Sequence, residues 1–378
     1  MGVRVLLCGM GGYGENYVRE YLTRDVLGSR LVAIADPFAE KSPLYCDVAG
    51  KGIPVFRSPE EFYSEHEADL CVISSPIHTH FPYVMTALNH GSHVLTEKPV
   101  CFRPEQFDAM LEKSRQTGLF VAVGYQQCFS GDVLALKRDI LDGVYGRPLR
   151  MKTIRLMRRN DIYYGRSSWA GALTCAGEPV FDSPFTNACA HQFQTMVFLL
   201  GKNMDESAAV TKCSGNLIRV RPGISNCDTI QLRFVTDDSV QLYYFASHAV
   251  DEAKLGPLSE YEFENGRVVE GPDGFSGTCS DGRVIDYSKV DRGERLEKLW
   301  ESVRCIMEHR VPPCTLKTAR THTDAVLMAQ KESIIDLSGE AVARKDDKDS
   351  TYYTVENLSR KLQDAYARWC IAEIKNKR

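Results

Sequence analysis

An apolar run, Val3–Cys8, leads into Gly9-Met10-Gly11-Gly12-Tyr13-Gly14, and a helical pattern over Tyr13–Arg24 follows at once. Strand, G-x-G-x-x-G and helix in that order restrict a chain to very few architectures. The first glycine permits a tight turn. The second lets a ligand come close to the backbone, and the third lets the helix pack against the strand. Free N–H groups at the helix N-terminus then favour an anion such as a pyrophosphate. Gly9, Gly11, Gly12, Tyr13 and Gly14 are therefore candidate residues for holding a dinucleotide. Asp36 ends the second expected strand, 22 residues beyond Gly14. An acid at that point accepts from the adenine-ribose hydroxyls and repels a 2′-phosphate. Pro37 and Phe38 follow it, with no arginine to welcome such a phosphate. The sequence thus favours NAD over NADP.

The first 125 residues alternate short apolar runs with helical patterns. Val3–Cys8, Leu31–Ala35, Leu70–Ser74, His93–Leu95 and Phe120–Val123 read as buried parallel strands bounded by turn residues. Tyr13–Arg24, Phe81–His90 and Pro104–Thr117 read as the helices between them. Such alternation implies a doubly wound sheet. The pattern changes after Gly124. A helix is expected over Asp132–Leu141, then strands at Leu149–Met157, Glu206–Lys212, Thr229–Phe234, Val240–Ala246 and Tyr261–Glu264. Turn signals separate them, which predicts a mostly antiparallel sheet with one covered face. Helices return at Glu294–His309, Ala319–Leu337 and Val355–Ile374. The expected class is α/β. An N-terminal Rossmann domain with a parallel sheet spans 1–125, and a C-terminal α+β domain with a mostly antiparallel open sheet spans 126–378.

Composition agrees with two domains and excludes several roles. The 378 residues exceed one ordinary core. A net charge of −4 gives no nucleic-acid footprint. No apolar run approaches the roughly 18 residues that span a bilayer, and no signal-peptide pattern opens the chain. Thirteen scattered cysteines without a C-x-x-C pair argue against a disulfide framework and a structural zinc. A reducing cytoplasm is expected. His78 and His80 lack a third ligand at metal spacing, so no metal is assigned.

The run Asp69-Leu70-Cys71-Val72-Ile73-Ser74-Ser75-Pro76, with His78 and His80, is followed by Gly91-Ser92-His93-Val94-Leu95-Thr96-Glu97-Lys98-Pro99. These blocks, with Val123-Gly124-Tyr125 at the end of the first domain, resemble the Gfo/Idh/MocA oxidoreductases. The resemblance implies a dinucleotide domain followed by an α/β domain that binds substrate and serves oligomer contacts. It implies cofactor contacts at Ser75, Pro76, His80, Glu97 and Lys98. It also assigns Lys98 a catalytic role, an ammonium beside a reacting hydroxyl. A homo-oligomer, dimer or tetramer, is expected from it.

Many members carry an Asp and a His four residues apart on one helix. Here the matching stretch is Asn187-Ala188-Cys189-Ala190-His191. His191 is the expected catalytic base, because its unperturbed pKa lies near working pH. Asn187 replaces the Asp as an uncharged substrate contact. Asp182 has two readings, a stand-in acid and a cap for a helix starting near Pro184, and the cap is preferred. Arg158, Arg159, Tyr163, Tyr164, Arg166 and Trp169 lie in the loop that, by resemblance, covers the substrate. Aromatic faces there suit sugar rings, and arginines suit anions. Tyr125 is a further candidate for the same cleft. A domain or subunit contact is the alternative for this stretch.

These readings converge on an NAD-dependent oxidoreductase acting on a sugar, polyol, glycoside or sugar acid. Two alternatives stay open. One is a redox-neutral lyase or glycosidase with recycling NAD, and the other is a non-catalytic NAD-binding sensor.

Overall fold

A computed structural model describes residues 2–24, 28–293 and 295–375. The chain opens with β1 (Val3–Cys8), α1 (Gly14–Thr23), β2 (Ser29–Ala35), α2 (Tyr45–Gly50), β3 (Val55–Phe56) and α3 (Pro59–Tyr63). Next come β4 (Leu70–Ile73), α4 (His80–Asn89), β5 (His93–Thr96), α5 (Pro104–Thr117) and β6 (Val121–Val123). They are followed by α6 (Gly131–Leu141), β7 (Pro148–Met157), α7 (Asp161–Tyr164), β8 (Thr174–Cys175), β9 (Glu178–Pro179) and α8 (Ala190–Leu199). Strands dominate the next stretch: β10 (Val210–Arg219), β11 (Thr229–Thr236), β12 (Gln241–Ser247), β13 (Lys254–Phe263), β14 (Gly266–Gly271), β15 (Gly274–Cys279) and β16 (Val284–Asp286). The last elements are α9 (Glu297–Met307), α10 (Leu316–Ala329), β17 (Ile334–Asp336), β18 (Val342–Lys345), β19 (Thr351–Thr354) and α11 (Leu358–Arg368). Two compact units result: Met1–Phe129 with Gly293–Ala319, and Ser130–Arg292 with Arg320–Arg378.

The first unit is built on a six-stranded sheet of order β3-β2-β1-β4-β5-β6, every neighbour parallel. Leu70, Cys71, Val72 and Ile73 of β4 are all buried, as expected where helices cover both faces. The strand order reverses between β1 and β4. In open parallel sheets ligands bind beyond the carboxyl ends of the strands at such a switch point. The turns after β1, β4 and β5 carry the glycine motif, Ser75-Pro76 and Glu97-Lys98-Pro99. Three separated sequence blocks thus reach one edge of one sheet.

The second unit holds a nine-stranded sheet of order β16-β15-β14-β13-β7-β12-β11-β10-β17. β7 runs parallel to β12 and β10 to β17, while the other neighbours are antiparallel. Period-two alternation assigns its faces. Phe234 and Tyr244 pack on one face against Phe185 and Phe193, with ring centroids 4.8–6.1 Å apart. Ile154, Leu156, Tyr243 and Phe245 face the other way and meet Leu358, Leu362 and Ala365 of α11. Lys152 holds that helix: its Nζ lies 3.0 Å from Glu260 and over the Trp369 ring at 4.2 Å.

The expected fold class is borne out, and several elements are corrected. The strand expected at Glu206–Lys212 runs Val210–Arg219, because its partner β11 sets the register. The helix expected over Ala319–Leu337 stops at Ala329; Ile334 and Ile335 are β-branched and pair with β10 as β17. The tail helix covers Leu358–Arg368 rather than Val355–Ile374, with left-handed residues, Asn357 and Trp369, at its ends. Glu294, expected to open a helix, lies outside the described residues. Among those described, no helix is long and apolar enough to cross a membrane.

Candidate active site

Steric limits dictate the glycine turn. Gly9 has φ +88°, and a Cβ on Gly14 would meet the Gly9 carbonyl oxygen at 2.1 Å. Only a hydrogen fits there, so α1 can start directly against the end of β1. A Cβ on Gly11, by contrast, would meet no atom of the described residues within 4 Å. The turn therefore has room on its outer side for a ligand to reach its backbone. Asp36 is held beside it: Met10 N–H donates to Oδ2 (2.9 Å) and Phe38 N–H to Oδ1 (2.8 Å). A carboxylate offers about four lone-pair sites, so acceptor capacity remains for sugar hydroxyls.

The other two turns are tied to each other. His80 is buried, with Nδ1 2.9 Å from the Pro99 carbonyl and Nε2 2.9 Å from the Ser75 carbonyl. Burial lowers its pKa, outweighing both acceptors. The Lys98–Pro99 peptide is cis, and Lys98 is half-buried. Glu97 points inward to a group of residues from α1 and α9. Lys298 Nζ lies 2.5 Å from Glu97 Oε1, Tyr17 Oη donates to the same oxygen (2.7 Å), and the Gly124 carbonyl is 3.5 Å from Nζ. The ammonium also sits over the rings of Tyr13 (4.5 Å) and Tyr17 (5.7 Å). Tyr13 belongs to the glycine turn, so one buried cation borders two functional segments.

In the second unit Asp182 is a hub. Its carboxylate accepts from Gly171 N–H (2.7 Å), Asn187 Nδ2 (3.0 Å) and Arg166 Nη2 (3.1 Å). Arg166 lies over the rings of Tyr163 (3.8 Å) and Trp169 (4.9 Å). Tyr164 Oη stands 3.4 Å from His248 Nδ1. His191 occupies the first turn of α8 and is half-buried.

Residues 3–125 match the model of the Gfo/Idh/MocA oxidoreductase family, described by its NAD-binding Rossmann fold. Over those residues the chain is similar to that family. Over 280 residues it is 29% identical to scyllo-inositol 2-dehydrogenase (NAD(+)) of Bacillus subtilis (strain 168), with 73% of this chain and 74% of that protein covered. Inositol 2-dehydrogenase 1 of Saccharopolyspora erythraea is 26% identical over 210 residues, 54% of this chain and 56% of its own length. The chain spans about half the length of several curated relatives it matches. The fold is shared with the WlbA dehydrogenase of Bordetella pertussis, solved with NADH and UDP-GlcNAcA, at TM-score 0.71 and 19% identity over 88% of this chain and 97% of that one.

Three expectations are corrected. Asn187 and His191 do not share a helix, because α8 begins at Ala190 and Asn187 lies in the preceding turn. Nor does Asp182 cap a helix at Pro184; its oxygens are spent on Arg166, Gly171 and Asn187. Tyr125, expected in the cleft, is enclosed at 1% exposure, and burial drives its hydroxyl far above the usual phenol range. Sequence reasoning missed Tyr17, His248 and Lys298. Lys298 did leave a signal: it falls on the buried stripe of α9 with Leu299, Ser302, Val303 and Cys305.

Proposed function

We propose that the chain transfers a hydride between a CH–OH carbon of a sugar, polyol, glycoside or sugar acid and the nicotinamide of NAD. The observation that carries this reading is the meeting of the glycine turn, Asp36 and the Glu97-Lys98-Pro99 block at one sheet edge, on the two sides of the switch point. The turn and first N–H groups of α1 fit a pyrophosphate, and Asp36 fits the ribose. Ser75, Pro76, His80 and Glu97 shape the nicotinamide end. When bound, NAD supplies the two-electron acceptor or donor.

The chain's own residues handle the proton. Lys98 holds an ammonium at the reacting hydroxyl and stabilises developing alkoxide charge. His191 accepts the hydroxyl proton as general base. The Asp182 carboxylate, through Asn187, takes the place of the acid expected at 187 and orients the turn before His191. Tyr163, Tyr164, Arg166 and Trp169 contact the substrate. Asp36 favours NAD over NADP by repelling a 2′-phosphate. The relative from Bacillus subtilis, named for NAD(+), supports the same preference.

A homo-oligomer is also proposed. Because α11 covers the centre of the sheet, its contact falls on β13–β15, where Glu260, Val269 and Ser276 are half-exposed. Light scattering on purified protein checks it, and a monodisperse monomer would remove it.

The deciding experiment follows NAD reduction at 340 nm over inositols, sugars, glycosides and uronic acids. Wild type, Lys98→Met and His191→Ala are run side by side. Turnover in wild type and its loss in both variants is expected. Unchanged turnover in His191→Ala would take that residue out of the assignment.

A further inference from the structure

The neighbourhood of Tyr163 in the second unit holds more donor capacity than its own acceptors use. Arg159 lies two residues past β7, and its main-chain N–H donates to the His248 carbonyl (3.0 Å). Its guanidinium lies over the Tyr163 ring at 4.5 Å. No carboxylate of the described residues comes within ion-pair distance of it, and its buried Nε has no partner. Arg166, on the same ring, is neutralised by Asp182. Arg221, over the Tyr164 ring, is paired with Asp161. Asp228, the other buried acid nearby, already accepts from Val220 N–H (3.0 Å) and Arg221 N–H (2.7 Å).

Two further groups face the same place. Tyr163 Oη is buried and has no partner among the described residues. His248 is 3% exposed, its ring lies 5.3 Å from that of Tyr163, and its buried Nε2 has no partner among the described residues. Burial, then the charges of Arg159 and Arg166, hold this imidazole well below its usual pKa, so it adds a neutral donor and no cation at neutral pH. Buried donors are matched in nearly all folded proteins. Three unmatched donors, one of them the Nε of the unpaired arginine itself, call for an acceptor from outside the chain. One uncompensated positive charge suits one singly charged, planar group.

We propose that Arg159, flanked by Tyr163 and His248, anchors a carboxylate of the substrate, so that the enzyme acts on a sugar acid in preference to the neutral sugar or polyol. The proposal rests on the oxidoreductase reading above. Arg159 is half-exposed and open to a ligand, whereas Tyr163 Oη and His248 Nε2 are covered. Engaging them shifts α7, a helix of four residues.

The test compares matched pairs, glucose with glucuronate and galactose with galacturonate, together with the corresponding 6-phosphates. Wild type, Arg159→Gln and Arg159→Lys are measured by NAD reduction and, independently, by thermal shift with each compound. Wild type should prefer the acids, and Arg159→Gln should lower the acid-to-neutral ratio of kcat/KM by about 100-fold, mostly through KM. Arg159→Lys should recover part of that ratio, since it keeps the charge and loses the fork. The same acids should raise the melting temperature of wild type and not of Arg159→Gln. A preference for neutral sugars or for phosphates overturns the proposal, and so does the absence of any shift with every acid. Acid binding that depends on Arg159 without NAD reduction or NADH binding leaves the anchor standing and removes the oxidoreductase reading.

Discussion

Lys298 Nζ and Glu97 Oε1 lie 2.5 Å apart, although 201 residues separate them in the chain. Lys298 is 1% exposed, and its carboxylate partner precedes Lys98 directly. Taking both charges out of water is costly, and the attraction between them only offsets that cost. Removing one partner leaves the other buried and unpaired. Lys298→Met should therefore cost about 3–5 kcal/mol in a denaturant melt. Lys298→Met with Glu97→Gln should cost clearly less than the two single changes added together, because no charge is stranded. Additive losses in the double-mutant cycle would show that the pair is not coupled. Its neighbours give a second readout: with Tyr13 no longer under the ammonium, NADH affinity should fall in the single variant.

Gly14→Ala tests the glycine turn directly. The new Cβ would stand 2.1 Å from the Gly9 carbonyl oxygen, a backbone atom that cannot move without opening the turn. NADH binding, followed by fluorescence titration, should weaken at least about 10-fold, roughly 1.4 kcal/mol. Gly11→Ala, whose Cβ meets no atom of the described residues within 4 Å, should leave the fold intact and obstruct only the ligand. Its melting temperature without cofactor should match wild type while NADH binding falls.

The first unit was largely legible from sequence because its constraints are local. A glycine turn, an acid at a strand end and a Lys-Pro junction each carry their chemistry within a few residues. Buried parallel strands also announce themselves as unbroken apolar runs, as Leu70–Ile73 does. The second unit was less legible. Asp182, Asn187, Arg166 and Gly171 come from one irregular stretch, where no period links them, and their meeting is set by tertiary contacts. His248 follows β12 and looks like any strand-end residue until Tyr163 and Tyr164 close over it. The α10–β17 boundary was missed because Ile334-Ile335 suits a helix or a strand, and only pairing with β10 decides between them.

Asp182→Asn separates a catalytic support from a packing role. The amide keeps the shape and loses the charge that faces Arg166 and Asn187. If the carboxylate orients the turn before His191, kcat should drop about 10- to 100-fold with KM little changed. The acid limb of the kcat–pH profile should move as well, which a purely structural contact would not cause. A lowered melting temperature with kcat and its pH profile intact would assign Asp182 to the fold alone.

Stability should fall in mild acid, and the sign follows from the buried histidines. Burial lowers the pKa of His80 and His248, and brings His93 down to about 4. A histidine whose folded pKa is depressed contributes stability that is complete above its unfolded value, about 6.5, and is lost as pH falls through the folded one. Asp228 works the other way. Burial pushes its carboxyl up to about 6, so the folded state takes up a proton below that pH before the unfolded chain does. This uptake stabilises the fold as pH drops from about 6 to about 4 and masks part of the histidine loss. Melting temperature measured from pH 8 to pH 4 should therefore decline below about 6.5 in wild type. Asp228→Asn keeps one oxygen, so it accepts from only one of Val220 N–H and Arg221 N–H, which lowers the whole curve; it also cannot take up that proton, which the slope reads. Its decline should be steeper than that of wild type over the same interval, and a shallower one would reverse the assigned sign.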